Sequence, residues 1–232
     1  MLNTVIFDMD GLLIDSEPCW QEAGSETLLQ YDIRLTAEQH HATTGLRTPE
    51  WIEWWFRYFR VDNGFARDAI QKVESLALEK ICDKAMPMPG VEYIFSFFKE
   101  RNFRIGLASS SSVALIRAVA EKLGITDLLD AYASAQSLRY GKPHPEVFLN
   151  CAGQLGASPL ECICFEDSFN GLIAAKASRM KCVLQRSFWP GTPNGSSPIC
   201  SWTNYPISLR SNCGCCRRGF LLIEKLSKDQ LN

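Results

Sequence analysis

The chain has 232 residues, 24 basic against 26 acidic, for a formal charge of -2. That balance has no basic excess for nucleic acid or an anionic membrane, which leaves a small molecule as the expected partner. The length exceeds that of a usual single domain, so one large domain, or a domain carrying an inserted one, is expected.

Asp8 and Asp10 arrive before any apolar run long enough for a signal peptide, and no later stretch is long and uncharged enough to cross a bilayer. The expectation is a cytoplasmic protein, taken as a monomer. Ten cysteines do not make a secreted framework. Cys19, Cys82, Cys151, Cys162, Cys164 and Cys182 are scattered through apolar or helical surroundings, where thiols behave as small hydrophobes.

The first element in chain order is an apolar run, NTVIFD, that reads as a buried strand and continues into DMDGLLIDSE. An unpaired carboxylate is expensive away from water, so Asp8, Asp10 and Asp15 require compensation. Strand alternation would send Asp8 and Asp10 to one side, where a shared cation, a shared substrate or both would offset their charge. Residues 16–86 then read as mostly helical. Their strongest helix is RDAIQKVESLALEKICDKA, with Ile70, Val73, Ala77 and Ile81 at spacings of three and four. WIEWWFRYFR carries six aromatics in ten residues and reads as a helix whose rings pack a small bundle.

PMPG at 87–90 breaks the helix. Beyond it VEYIFSFFKERN predicts a helix, FRIGLAS a strand, and SVALIRAVAEKLG a helix closed by a left-handed Gly124. AYASA is a short strand, HPEVFLNCAGQLG a helix, CICFED a strand, SFNGLIAAKASR a helix and KCVLQ a last strand. Alternating strand and helix means a parallel sheet covered on both faces. The expected fold class is therefore α/β: a doubly wound parallel sheet, a Rossmann-like core from residues 1–15 and 87–232, and an α-helical cap domain inserted as residues 16–86.

Ligands bind beyond the carboxyl ends of the strands in such a sheet. The polar residues there are Asp8 and Asp10, Ser109 and Ser110, Glu166 and Asp167, with Lys142 in the turn GKPHP. Asp8, Glu166 and Asp167 offer the hard oxygens that magnesium prefers. Lys142 and the Ser109 hydroxyl would hold phosphate oxygens, helped by backbone amides of the DMDGL turn. One carboxylate can attack phosphorus while a second, two residues away, gives a proton to the leaving oxygen and later takes one from water. Singly, Lys142 would be a solvated lysine and Ser109 a helix cap. Their joint order carries the inference. Glu166 could equally brace a nearby amide, and Asp15 could support the loop.

DMDG, LASS, GKPHP and FEDSFNG, in this order, resemble the motifs of the haloacid dehalogenase superfamily, specifically its phosphatases with a helical cap after the first strand. The resemblance covers about residues 4–185. It implies Asp8 as nucleophile and Asp10 as general acid and base. It also implies magnesium on the Asp8 carboxylate, the Asp10 main-chain carbonyl and Asp167, with Glu166 a direct or water-mediated ligand. Ser109, Ser110 and Lys142 would bind the phosphoryl group.

Within the superfamily, DGLLIDSEPCW, GLASSS and KPHPEVFLNCAGQLG are most similar to sugar-phosphate phosphatases acting on 2-deoxyglucose 6-phosphate and hexitol phosphates. The neighbouring β-phosphoglucomutases carry a histidine where Trp20 stands and Lys-Asn where Ser112 and Val113 stand. Those departures argue against returning the phosphate to the sugar. In the cap, TTGLRTPE resembles the loop that selects substrate. Gly45 would permit close approach there, and Arg47 would fork onto sugar hydroxyls or phosphate. The cap is expected to close over the substrate. The alternatives are mutase-type phosphoryl transfer and a non-catalytic sugar-phosphate-binding protein.

From about residue 186 the chain turns rich in Pro, Ser, Cys and Trp. Cys200, Cys213, Cys215 and Cys216 lack the paired C-x-x-C arrangement of a zinc site. A divergent extension is a second reading, and a shifted reading frame is the preferred one because the composition changes abruptly.

Overall fold

The computed structural model describes residues 1–185, so the readings of the tail lie outside the described residues. Five strands form one parallel sheet: β1 (Thr4–Phe7), β2 (Arg104–Ser109), β3 (Ala131–Ser134), β4 (Cys162–Glu166) and β5 (Lys181–Leu184), in the order β3-β2-β1-β4-β5. Thr4 pairs with Arg104 on one side and with Cys162 on the other. β1 is thus central and buried on both faces. Val5 and Phe7 join a cluster with Phe95, Phe98 and Ile105, whereas Ile6 enters a second cluster with Phe148 and Cys164. Burial on both faces explains why this strand reads as a continuous apolar run. The strand order reverses at β1, and that is where a doubly wound sheet opens its crevice.

The helices are α1 (Glu17–Leu28), α2 (Ala37–Ala42), α3 (Thr48–Phe59), α4 (Ala66–Lys84), α5 (Val91–Lys99), α6 (Val113–Lys122), α7 (Glu146–Gln154) and α8 (Phe169–Ala177). The first four lie between β1 and β2 in the chain, and α1, α3 and α4 share a cluster of Leu28, Ile52, Trp55, Phe56, Ala69 and Val73. The buried stripe of α4 is Ala69, Val73, Ala77 and Ile81, so it begins one position before the expected Ile70. A repeat of four residues keeps all of these side chains on one face. The aromatic helix α3 divides its rings. Trp55 and Phe56 are buried, while Trp54 and Tyr58 are exposed, because a helix against a small bundle buries only one stripe.

Two passages of chain join the helical segment to the sheet, and they are tied together. Ile14 forms an antiparallel bridge with Pro87, the Asp15 amide donates to Met86 O at 2.9 Å, and the Met88 amide donates to Leu13 O at 2.9 Å. The Asp15 side chain is exposed and makes no hydrogen bond among the described residues. Main-chain bonds, rather than its carboxylate, steady this loop. Gly124 has φ +66, as the left-handed helix end requires. Of the six cysteines described, Cys19, Cys151, Cys162 and Cys164 are buried as expected, but Cys82 is exposed. No described helix is long and apolar enough to cross a membrane.

Candidate active site

The Asp8 amide continues the sheet ladder by donating to Phe165 O at 2.9 Å, so the side chain stands where β1 meets β4. β1 ends at Phe7, and alternation does not carry through to Asp10. Instead the chain turns: the amides of Leu13 and Ile14 both donate to Met9 O, and Gly11 adopts φ +74. A Cβ at Gly11 would fall 2.1 Å from Asp167 Oδ2, so space as well as backbone geometry demands glycine. The turn brings Asp8, Asp10 and Asp167 into one cleft, which Ser110, Ser111 and Lys142 also line.

Lys142 is the cation of this rim. Its ammonium is buried and donates to Asp8 Oδ1 at 2.5 Å, to Ala108 O at 3.3 Å and to Glu166 Oε1, and it lies 4.9 Å from the Phe148 ring centroid. Burial works against that charge, but Asp8 and Glu166 outweigh it and hold the Lys142 pKa above its ordinary value. Glu166 has no oxygen to spare. Its Oε2 accepts from the Asp167 amide at 3.1 Å, the Ser168 amide at 3.2 Å and the Ser168 hydroxyl at 3.1 Å. This is a bracing arrangement. Asp8 Oδ2 and the Asp167 carboxylate, by contrast, have no hydrogen-bond partner among the described residues.

Asp10 is held by four donors. Ser16 Oγ at 2.8 Å and Trp20 Nε1 at 2.9 Å donate to Oδ1, while Ser111 Oγ at 2.7 Å and Ser109 Oγ at 3.2 Å donate to Oδ2. Ser109 is wholly buried, and its hydroxyl also accepts from the Ser111 amide at 3.0 Å. Ser110 Oγ turns to the helical segment and donates to Gly45 O at 3.0 Å. Ser111 and Ser16 escaped the sequence reading, although Ser111 stands only two residues beyond Ser109, the spacing that already marked Asp10 beside Asp8.

Residues 44–47 of the helical segment rest directly on residues of the sheet domain. Gly45 has φ +86, and a Cβ there would meet Ser168 Oγ at 3.0 Å. Asn170 Nδ2 donates to Thr44 O at 3.1 Å. The Arg47 guanidinium reaches Leu138 O at 2.5 Å, Ala135 O at 3.0 Å and Glu50 Oε1 at 2.5 Å. Glu50 in turn accepts from the Gly141 amide at 3.1 Å. Arg47 thus forks, but onto core carbonyls and its own helix rather than into the open cleft.

One oxygen from each of Asp8, Glu166 and Asp167 lies within 4.8 Å of the others. Two buried carboxylates, Asp8 and Glu166, and the partly buried Asp167 face a single ammonium. Burial raises the Asp8 pKa well above the carboxylate range, Lys142 offsets only part of that, and Glu166 and Asp10 add to it. Burial, then Asp8 and Glu166, raise Asp167 likewise. A hard, anionic oxygen set short of positive charge, with the Asp167 carboxylate without a partner among the described residues, fits a divalent cation such as magnesium.

The sequence profile of the haloacid dehalogenase-like hydrolases matches residues 2–179. Hexitol phosphatase B of Escherichia coli is 36% identical over 180 residues, spanning 77% of this chain and 81% of that protein. The fructose-1-phosphate phosphatase of the same organism is 33% identical over 184 residues, spanning 77% of this chain and 94% of its own. The crystal structure of beta-phosphoglucomutase from Clostridium difficile superposes with a TM-score of 0.73 at 26% identity, covering 79% of this chain and 84% of that one. A profile that spans residues 2–179, together with relatives above 30% identity over 77% of the chain, shows that this protein belongs to the haloacid dehalogenase-like hydrolases.

Proposed function

We propose that the protein is a magnesium-dependent phosphomonoesterase that hydrolyses a hexose, 2-deoxyhexose or hexitol phosphate through an aspartyl phosphate on Asp8. The observation that carries this reading is the asymmetry of Asp8. Its Oδ1 is tied to Lys142, while its Oδ2, beside the cleft, has no hydrogen-bond partner among the described residues. Oδ2 attacks phosphorus, the bond from phosphorus to the sugar oxygen breaks, and that oxygen leaves with a proton from Asp10. Water then attacks the acyl phosphate as Asp10 takes a proton back, releasing inorganic phosphate and restoring the Asp8 carboxylate.

The four donors on Asp10 select the oxygen that carries the proton. An indole N–H can only donate, so Oδ1 stays an acceptor from Trp20. The Ser109 and Ser111 hydroxyls can rotate from donating to accepting, so Oδ2 is the atom that holds the proton. Magnesium, bound by the Asp8 and Asp167 carboxylates and the Asp10 carbonyl, would supply positive charge to the phosphoryl oxygens. Glu166 acts through Lys142 and the amides it braces. Residues 16–86 serve as the cap, excluding water while the ester bond is broken.

The test is phosphate release from a panel of hexose, deoxyhexose and hexitol phosphates, with and without chelator. We expect release to need magnesium and Asp8→Asn to lower it by about 10^4-fold or more, the scale of removing a nucleophile. Undiminished release by Asp8→Asn would overturn the assignment. Conversion of glucose 1-phosphate to glucose 6-phosphate would favour the mutase instead.

A further inference from the structure

Away from Asp8 the cleft continues into the helical segment, between α1, α3 and α4. Glu17, Trp20, Gln21 and Gly24 of α1 line it at the spacing of three, four and seven that places residues on one helix face. Gly24 leaves room for Trp51, since a Cβ there would lie 2.7 Å from the indole. The Trp51 Nε1 donates to Thr43 Oγ1 at 3.0 Å, fixing the ring. Glu74 enters from α4. Glu74 and Gln21 make no hydrogen bond among the described residues. Burial raises the Glu74 carboxyl, as expected of an acceptor without a donor.

The charges in this cleft are unequal. Five carboxylates line it: Asp8, Asp10, Glu17, Glu74 and Asp167. Among the described residues, only Arg47 and Lys142 bring permanent positive charge to its walls. Lys142 is taken up by Asp8 and Glu166, and Arg47 by Glu50 and the carbonyls of Ala135 and Leu138. Burial lowers the pKa of His40, the remaining basic side chain, which lies 3.2 Å from Ser25 Oγ. A second phosphate at the far end of a substrate would therefore meet Glu74 with no counter-charge.

We propose that this cleft accepts a substrate with one phosphate joined to an uncharged, polyhydroxylated body, that it rejects a second phosphate, and that Glu74 accepts the distal hydroxyls. Trp20 and Trp51 supply apolar surface for the C–H faces of such a body, and the unpartnered carboxylate and amide take its O–H groups. This inference rests on the phosphatase reading and narrows its substrate class. It makes Glu74 a specificity residue that the motifs of the rim do not contain.

The test measures kcat/KM for the full chain in magnesium with three probes: p-nitrophenyl phosphate, a hexitol 6-phosphate and the matching hexitol 1,6-bisphosphate. The bisphosphate should be poorer than the monophosphate by about 100-fold or more, because like charges brought together in a partly desolvated site repel strongly. Glu74→Gln should lower kcat/KM for the hexitol monophosphate, chiefly through KM, about tenfold further than for p-nitrophenyl phosphate. Glu74→Lys should narrow the gap between bisphosphate and monophosphate. Bisphosphate turnover within about threefold of the monophosphate overturns the inference. So does an equal loss on hexitol and nitrophenyl esters in Glu74→Gln. Persisting nitrophenyl phosphate hydrolysis in either case keeps the phosphatase reading intact, whereas no release from any probe overturns both.

Discussion

The rim around Asp8 and the distal wall around Glu74 belong to one cleft but are built on opposite principles. At the rim, Lys142 bridges Asp8 and Glu166, four donors converge on Asp10, and Glu166 holds the amides at the start of α8. On the distal wall, the Glu74 and Gln21 side chains face the cleft without hydrogen-bond partners among the described residues. Apart from Asp8 Oδ2 and the Asp167 carboxylate, the rim is a connected polar network, and fixing dipoles in advance is what a charged transition state requires. An unsaturated wall leaves its hydrogen bonds to be completed by the substrate. The difference teaches that chemistry and selectivity are separable here. The clasp of Arg47 and Glu50 on residues 135–141 sets how the two are aligned.

The largest expected effect on stability comes from breaking the rim. Lys142→Ala leaves Asp8 and Glu166 buried without their ammonium, and should cost about 3–5 kcal/mol in urea unfolding measured without divalent cation. An unchanged unfolding midpoint would show that the rim is not the rigid half. Arg47→Ala attacks the alignment instead. It should lower kcat/KM about tenfold while leaving the unfolding midpoint nearly in place, since the lost bonds, that to Glu50 apart, join the helical segment to the sheet domain. Equal damage to stability and activity would erase the distinction between clasp and core.

A pH titration sharpens the same point on a smaller scale. Burial alone would raise Glu50, but the Arg47 side chain and the Gly141 amide outweigh it and hold its pKa below the ordinary 4.5. With a depressed folded-state pKa, its contribution is present above 4.5 and is lost as pH falls through the folded value. Glu50 is partly exposed, so the wild type should lose no more than about 1 kcal/mol relative to Glu50→Gln between about pH 5 and pH 3. The smallest effect belongs to the outer surface of the cap. There Glu22 on α1 accepts from Lys80 at 2.8 Å and from Lys84 of α4, and those bonds hold its pKa down to about 2. Glu22→Gln should shift the melting temperature only slightly, and the shift should vanish in about 1 M salt. It should also fade in the wild type as pH falls from 4.5 toward 2.

Much of the rim is legible in the sequence because its elements are local. A buried strand ending in DMDG, another ending in FED, and GKPHP before a helix each announce a carboxylate or an ammonium at a strand end. The donors on Asp10 are less so. Ser109 and Ser111 lie 99 and 101 residues from it, and a hydroxyl in a run of four serines carries no mark of its partner. Arg47 shows the other blind spot. Its acceptors are main-chain carbonyls 88 and 91 residues away, and a carbonyl looks the same whatever residue bears it.

By itself, the sequence determined the alternating strands and helices, the place where the helical segment enters, and the acids and lysine of the rim, because burial and periodicity act over a few neighbouring residues. Tertiary structure alone decided which groups are left unpaired. Glu166, buried and fully bonded, and Glu74, partly buried and without a side-chain hydrogen bond among the described residues, are the same residue type; their difference arises from which distant elements pack against each one.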